Sequence, residues 1–548
     1  MTPDTNTVSL LFPELILIAM ATFVFVAGAF RPRLTWWPAL AAITFIAVLF
    51  VAMLGIEWRL WNALVERSVT VSGPLVLDYL GQLLRPLLVL LGLLFALLMY
   101  RSGPRDLVAE HTGTLMLTIV GLMIVARAND LVLLFVGLEL ISVPTYVLLF
   151  LGRKNRSSGE ATAKYFYLSL LASGLLLYGL SFLYGITGTT TMTGHGGELG
   201  IREVISGMRT SGGESATLWT LAPVAIVLTI AGLGFKLAAV PFHFYAPDVY
   251  QGTTSSNAAL LAIMPKIAGV TALLRLIVAM FPGLALAWQL MVILAVLTMT
   301  MGNICALWQN NIRRLLAYSS IAHGGYMLLG LAVSLAADSP ELKTAGSAAT
   351  LFYLAVYSLA SLAAFAALTY LGDEQRDVND VNELAGLARN QPLAAAVIAV
   401  AMFSFSGIPI FAGFWGKFSL FSSSIDLALT TSSVPMRNWF LVLTIVGALN
   451  AAIAAGYYLR VVGAMFFQAK QGDLPAQGGA GPLATMMTCA LLTIGVGLAP
   501  RAAMQSAAIA GQDNQVRSTG RVSQAAEKQS GSSPANQIGD SRVAARSK

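Results

Sequence analysis

The sequence predicts an all-α integral membrane protein with about fourteen transmembrane helices, and three observations carry that fold class. Of 548 residues, 57% are hydrophobic and only 11% are charged, too few charges for a soluble protein of this size to cover its surface. Apolar stretches of about 20 residues, the length that crosses a hydrocarbon core of about 30 Å, recur along the whole chain. Lys and Arg collect in the short gaps between these stretches, as in multi-pass membrane proteins. The lipid bilayer is thus the first partner. The net charge of +7 is scattered over short loops, which gives no footprint for nucleic acid.

The spans fall near residues 10–30, 35–56, 77–100, 112–128, 129–151, 162–187 and 220–245 in the first half. The second half adds 255–281, 285–308, 313–337, 345–371, 393–423, 438–468 and 482–500. Only Arg127, Asn129 and Asp130 mark the gap between the fourth and fifth. The first span is not expected to be a cleavable signal peptide, because Arg31 and Arg33 follow it and no positive charge precedes it. The stretch from Gly188 to Thr217 is rich in Gly and Thr and is expected as a surface excursion. From about residue 512 the chain turns polar, with too few apolar residues to bury a core, and is expected to be disordered.

Loop charge sets the orientation. Arg31, Arg33, Arg101, Arg105, Arg153, Lys154, Arg156, Arg313, Arg314, Arg376, Arg389 and Lys470 fall on one side. Arg59, Arg67, Arg127, Arg202, Arg209, Lys343 and Arg437 fall on the other. The larger set faces the cytoplasm, which leaves both termini outside.

Four ionisable residues lie deep in apolar runs: Glu139 in FVGLELISVP, Lys236 in AGLGFKLAAVPF, Lys266 in AIMPKIAGV and Lys417 in FAGFWGKFSLF. A charge at the bilayer centre costs roughly 2.5–3.5 kcal/mol, so four unpaired ones would cost on the order of 10 kcal/mol. Such residues pair with one another and line paths for protons or ions. Gly232, Gly234 and Pro241 flank Lys236, and Ser406, Gly407, Pro409, Gly413 and Gly416 surround Lys417. Both helices are therefore expected to break beside their lysine, opening a small hydrated cavity; the competing reading is a kink that only aids packing. Glu139 and Lys236 are the expected pair, with a static, packing ion pair as the alternative. Lysine suits proton transfer where arginine does not, because arginine keeps its proton. Lys266 is placed to pass a proton between the Lys236 and Lys417 regions.

An internal echo links the two breaks. Ala231-Gly232 precedes Lys236 by the same spacing as Ala412-Gly413 precedes Lys417, five spans apart. An odd offset reverses direction across the membrane, the mark of an inverted-topology repeat. The offset, 417 − 236 = 181, carries Glu139 onto Ser320, one helical turn from His323 in RRLLAYSSIAHGGY. His323 is thus a further pathway candidate, against the reading that a lone His on an apolar helix only packs. Lys164, Arg275 and Arg460 sit near span ends and are expected to snorkel; Arg85 is intermediate. His243 lies between prolines at the membrane edge. Cys305 and Cys489 stand alone, so no metal or iron–sulfur site is expected, and no GxGxxG or Walker A pattern opens a helix.

The stretches GLGFKLAAVPFHFYAPDVYQG, RRLLAYSSIAHGGY and FSFSGIPIFAGFWGKF resemble the antiporter-like membrane subunits of proton-pumping NADH:quinone oxidoreductase, respiratory complex I. YFYLSLLASGLLLYGLSFLYGITGT looks most like the subunit N branch of that family. The resemblance spans roughly residues 10 to 500. It implies an N-terminal three-helix segment (1–111), two inverted five-helix repeats (112–284 and 285–470) with broken seventh and twelfth helices, a C-terminal helix (471–511) and the polar tail (512–548). It further implies that Glu139 pairs with Lys236, and that Lys266 and Lys417 continue the proton path. The chain would translocate protons in the cell inner membrane beside other membrane-arm subunits. It would bind no cofactor itself, with NADH, FMN, iron–sulfur clusters and quinone handled elsewhere in the complex. Two alternatives stay open: a subunit of a multi-subunit cation/proton antiporter, and a membrane scaffold.

Overall fold

The computed structural model describes residues 11–31, 36–54, 70–100, 107–152, 155–194, 198–210, 219–278, 280–281, 284–372, 376–469, 474 and 476–519. Among the described residues, regular structure is helical apart from one short antiparallel hairpin, β1 (Thr70–Ser72) and β2 (Leu75–Leu77). The N-terminal part comprises α1 (Phe12–Phe30), α2 (Trp37–Leu54) and, after the hairpin, α3 (Tyr79–Leu98). There follow α4 (Val108–Arg127), α5 (Leu131–Phe150), α6 (Arg156–Thr187), the short α7 (Ile201–Thr210), α8 (Ala222–Leu237), α9 (Tyr245–Gly252) and α10 (Ser255–Leu273). The rest is α11 (Ala285–Leu307), α12 (Ile312–Ala336), α13 (Pro340–Leu371), α14 (Pro392–Ser406), α15 (Ala412–Thr430), α16 (Val434–Phe467), α17 (Ala480–Leu498) and α18 (Arg501–Thr519). Among the described residues, eleven helices are long and apolar enough to cross a membrane.

Polar residues at the span edges start the helices. Asp78 accepts from Gly81 N at 2.9 Å, Asn155 from Ser158 N at 2.7 Å and Asn311 from Arg314 N at 3.0 Å. Each satisfies an amide the first turn leaves without a partner. Two apolar runs are interrupted midway. α8 ends at Leu237, where Ala238 takes a left-handed conformation (φ 55°), and helix resumes only at Tyr245. α14 ends at Ser406, Gly407 sits at φ 82°, and helix resumes at Ala412.

α10 is buried along its whole length, and α12 and α13 nearly so. Peripheral helices instead turn large apolar side chains outward, among them Phe23 and Val26 on α1 and Val442, Ile445 and Leu449 on α16. Apart from Arg314 and Tyr318, the polar residues of α10 and α12 thus point into protein. Small residues permit the close packing: a Cβ on Gly325 of α12 would lie 2.7 Å from the Met299 amide of α11.

Two expectations need correcting. Arg275 does not snorkel: it is 4% exposed and its guanidinium pairs with Asp78 through Nη1–Oδ2 at 2.7 Å and Nη2–Oδ1 at 3.0 Å. A π-helical turn, Leu274–Val278, carries it inward at the end of α10. Arg85 is likewise buried, donating Nε to Glu14 Oε1 at 3.0 Å. The surface excursion after Gly188 is anchored beside the start of α5: it includes α7, Asn129 Nδ2 donates to Thr193 O at 3.1 Å, and Thr190 Oγ1 donates to Asp130 at 2.6 Å. Helix α18 continues to Thr519, past the expected boundary at 512. Ala507 and Ala510 are buried, and Gly511 approaches the Thr344 carbonyl of α13. The remainder of the polar tail, 520–548, lies outside the described residues.

Candidate functional site

Lys236 occupies the last turn of α8, where the helix stops. It is brought there by a close approach of α8 to α6: a Cβ on Gly232 would stand 2.8 Å from the Ala172 carbonyl. Lys236 is 3% exposed and donates Nζ to Ser142 Oγ on α5. Ser142 lies one turn beyond Glu139, which is half-buried and accepts from Ser173 Oγ of α6 at 2.5 Å. The expected pair is therefore assembled but indirect. Lys236 arrives level with Ser142 rather than with the carboxylate, and Glu139 acts on it through its field.

Lys266 lies mid-helix on α10, which packs against the end of α8. A Cβ on Gly269 would touch Lys236 Cβ at 3.2 Å, and one on Gly324 of α12 would lie 2.9 Å from the Leu237 carbonyl. Lys266 Nζ donates to Ser320 Oγ at 2.7 Å. The same oxygen receives the Tyr357 hydroxyl of α13 at 2.7 Å and lies 3.3 Å from the Tyr250 hydroxyl of α9.

His323 sits one turn further along α12, 3% exposed. Its Nδ1 is 2.6 Å from the Tyr353 hydroxyl and its Nε2 is 3.0 Å from that of Tyr458. A neutral imidazole donates from one nitrogen and accepts at the other, and phenols serve both roles, so the ring is satisfied in either tautomer. Its ring centroid is 4.9 Å from that of Tyr357 and 5.0 Å from that of Phe405. His323 lies within the electrostatic reach of both Lys266 and Lys417.

Lys417 completes the row from α15. Its Nζ donates to the Phe405 carbonyl at 2.7 Å and lies 5.0 Å over the Tyr326 ring. The break supplies that acceptor: α14 ends at Ser406, so its last carbonyls have no amide one turn on, and a cation at a helix C-terminus is favoured. Gly413 makes the approach possible, since a Cβ there would sit 1.8 Å from the Ser404 carbonyl.

The structure therefore brings Glu139, Lys236, Lys266, His323 and Lys417 into one row across both breaks. Among the described residues, no lysine of the row forms an ion pair with a carboxylate; hydroxyls and carbonyls hold all three ammonium groups. Each can lose a proton without stranding a bonded carboxylate, which a static salt bridge would not allow. Sequence reasoning missed the hydroxyls Ser142, Ser320, Tyr250, Tyr353, Tyr357 and Tyr458. The repeat offset did land on Ser320, but Ser and Tyr in an apolar helix carry no charge signal.

At the rim, Asp248 of α9 receives Lys164 at 2.8 Å and Arg314 at 2.8 Å. Arg460 donates to the Leu307 carbonyl at 3.1 Å from an exposed position, and His243 is half-buried. Among the described residues, no group of three or more His, Cys, Asp or Glu side chains could hold a metal ion.

Residues 128–455 match the family model described as the transmembrane region of NADH:quinone oxidoreductase/Mrp antiporter. The NADH-quinone oxidoreductase subunit N of Trichlorobacter lovleyi is 36% identical over 473 residues, covering 85% of this chain and 88% of that one. That of Rhodospirillum rubrum is 40% identical over 361 residues, 66% of this chain and 68% of the relative. Among solved structures, a chain of respiratory complex I from Thermus thermophilus with bound aureothin superposes with a TM-score of 0.71 at 28% identity, covering 91% of this chain and 99% of its own. A chain of the Mrp complex from Dietzia sp. DQ12-45-1b reaches 0.74 at 22% identity, over 93% and 97%, a likeness of fold alone.

Proposed function

Since the chain belongs to the NADH:quinone oxidoreductase/Mrp antiporter family, and within it to the subunit N group, we propose that its protons travel along the row Glu139, Lys236, Lys266, His323 and Lys417. The chain is a proton-translocating membrane-arm subunit of NADH:quinone oxidoreductase, working beside the other membrane subunits. The redox cofactors of the enzyme lie in other subunits. What remains is how this chain moves the proton.

The observation that carries the proposal is the coincidence of lysine and helix break. Lys236 stands at the end of α8, bonded to the Ser142 hydroxyl, and Lys417 beside the end of α14, bonded to the Phe405 carbonyl that the break leaves free. Freed backbone at membrane depth persists where protein or water satisfies it, and there a proton can be taken up and released. A change of charge at Glu139 alters the field on Lys236. The response passes to Lys266 and, through the His323 region, to Lys417. The repeat offset of 181 supports two inverted halves, and the helix order supports fourteen crossings when each broken helix counts as one with its continuation. The loop charges favour both termini outside the cytoplasm. A stand-alone cation/proton antiporter shares the fold, but the relatives at 36–40% identity are subunit N proteins.

The test is Glu139→Gln in the whole complex. Normal assembly with strongly reduced proton uptake supports the path; full uptake removes Glu139 from it.

A further inference from the structure

We infer that Ser320 is a proton-relay residue, the hydroxyl through which Lys266 exchanges its proton with the α9 side of the protein. The inference rests on the path proposed above and adds a group that bears no charge.

Ser320 is 2% exposed, and three polar groups converge on its Oγ: Lys266 Nζ at 2.7 Å, the Tyr357 hydroxyl at 2.7 Å and the Tyr250 hydroxyl at 3.3 Å. A serine in an apolar helix commonly returns its proton to the carbonyl one turn back. Ser142 and Ser358 do so, at 2.8 Å and 2.7 Å, as does Thr145 at 2.7 Å. Ser320 makes no such bond, so its proton is available.

A hydroxyl offers one proton and two lone pairs. An ammonium can only donate, and Tyr357 donates as well, so with Lys266 charged both lone pairs are filled and the Ser320 proton points to Tyr250. With Lys266 neutral its nitrogen becomes an acceptor, and the bonds reverse. Ser320 then gives its O–H proton to Lys266 Nζ and takes the Tyr250 O–H proton in exchange, while Tyr250 takes up the translocated proton from hydronium at the rim, which leaves as water. One proton has moved to Lys266, and both hydroxyls end as they began. The Tyr357 proton also faces the Ala262 carbonyl, a more distant acceptor at 3.3 Å that shares the same O–H and keeps it on the Ser320 side. Tyr250 lies two residues from Asp248, whose exposed ion pairs mark the rim of the protein, so α9 links that rim to the buried hydroxyl.

The experiment uses the whole complex in vesicles, with assembly checked on a native gel and redox-driven proton uptake measured. Ser320→Ala is expected to assemble and to lower uptake by about tenfold or more, the usual scale for removing a proton-transfer group. Ser320→Thr, which restores a hydroxyl, is expected to regain most of it, a rescue that loss of packing alone would not give. Near-normal uptake by Ser320→Ala, with Lys266→Ala inactive, overturns the relay and leaves the path intact. Full uptake by Lys266→Ala overturns both. If the position-320 variants fail to assemble, Tyr250→Phe decides: reduced uptake supports the relay and unchanged uptake overturns it.

Discussion

Arg275 and Asp78, 197 residues apart in sequence, meet in a two-pronged ion pair with contacts of 2.7 Å and 3.0 Å, both side chains almost fully buried. The pair ties the start of α3 to the end of α10, and Arg275 also donates to the Ala126 carbonyl of α4 at 3.0 Å. Nearby, Arg85 and Glu14 join α3 to α1 in the same manner. These contacts clamp the N-terminal helices to the rest of the fold. They form no part of the proposed row.

Arg275→Ala therefore strands the Asp78 carboxylate. Breaking a buried pair from one side costs about 3–5 kcal/mol. The expected result is a sharp fall in the amount of assembled complex, read on a native gel. Replacing both partners with apolar residues should recover part of it, because no lone charge is then left buried.

Gly413→Ala tests the second helix break. The added methyl would overlap the Ser404 carbonyl, a backbone atom that cannot rotate away. Either α15 shifts and carries Lys417 off the Phe405 carbonyl, or the chain fails to assemble. Native-gel content and proton uptake should both fall. Gly463→Ala, with open space around its Cβ, should change neither.

The membrane class, both breaks and the burial of Lys236, Lys266, His323 and Lys417 were legible in the sequence, because burying a charge or freeing a backbone carbonyl in lipid is costly enough to leave a compositional trace. The error at Arg275 has an equally physical source. Position near a span end cannot separate a side chain that reaches for water from one that reaches for Asp78, since the partner is set by tertiary contact. The hydroxyls around Lys266 and His323 were hidden for a different reason: Ser and Tyr cross a membrane cheaply when bonded, so hydropathy hardly registers them. The polar composition after residue 512 concealed the last helical turns of α18, whose alanines bury little area each but pack closely on α13.

Tail truncation separates those two segments. Removing residues 520–548, which are mostly polar, should leave assembly and uptake nearly unchanged. Removing 501–548 also uncovers the contact with α13 and should lower complex content.

The proposed sidedness is tested across α6, which runs continuously from Arg156 to Thr187. Cysteines placed at exposed Ser157 and at Leu199, with Cys305 and Cys489 replaced, should react with an impermeant reagent from opposite sides, Ser157 from the cytoplasm. Labelling of both from one side contradicts the topology.

Lys236→Arg separates charge from proton exchange. Arginine keeps a cation beside Ser142 but does not release its proton. Assembly should hold while proton uptake drops nearly as far as in the alanine variant.

The most direct test of the whole account is redox-driven proton uptake by vesicles carrying the Lys236→Ala complex, normalised to complex content on a native gel. The account predicts an assembled complex whose uptake is largely lost, with quinone reduction falling alongside it where coupling is tight. Full uptake by an assembled Lys236→Ala complex would contradict it, because a residue that can be dispensed with carries no proton.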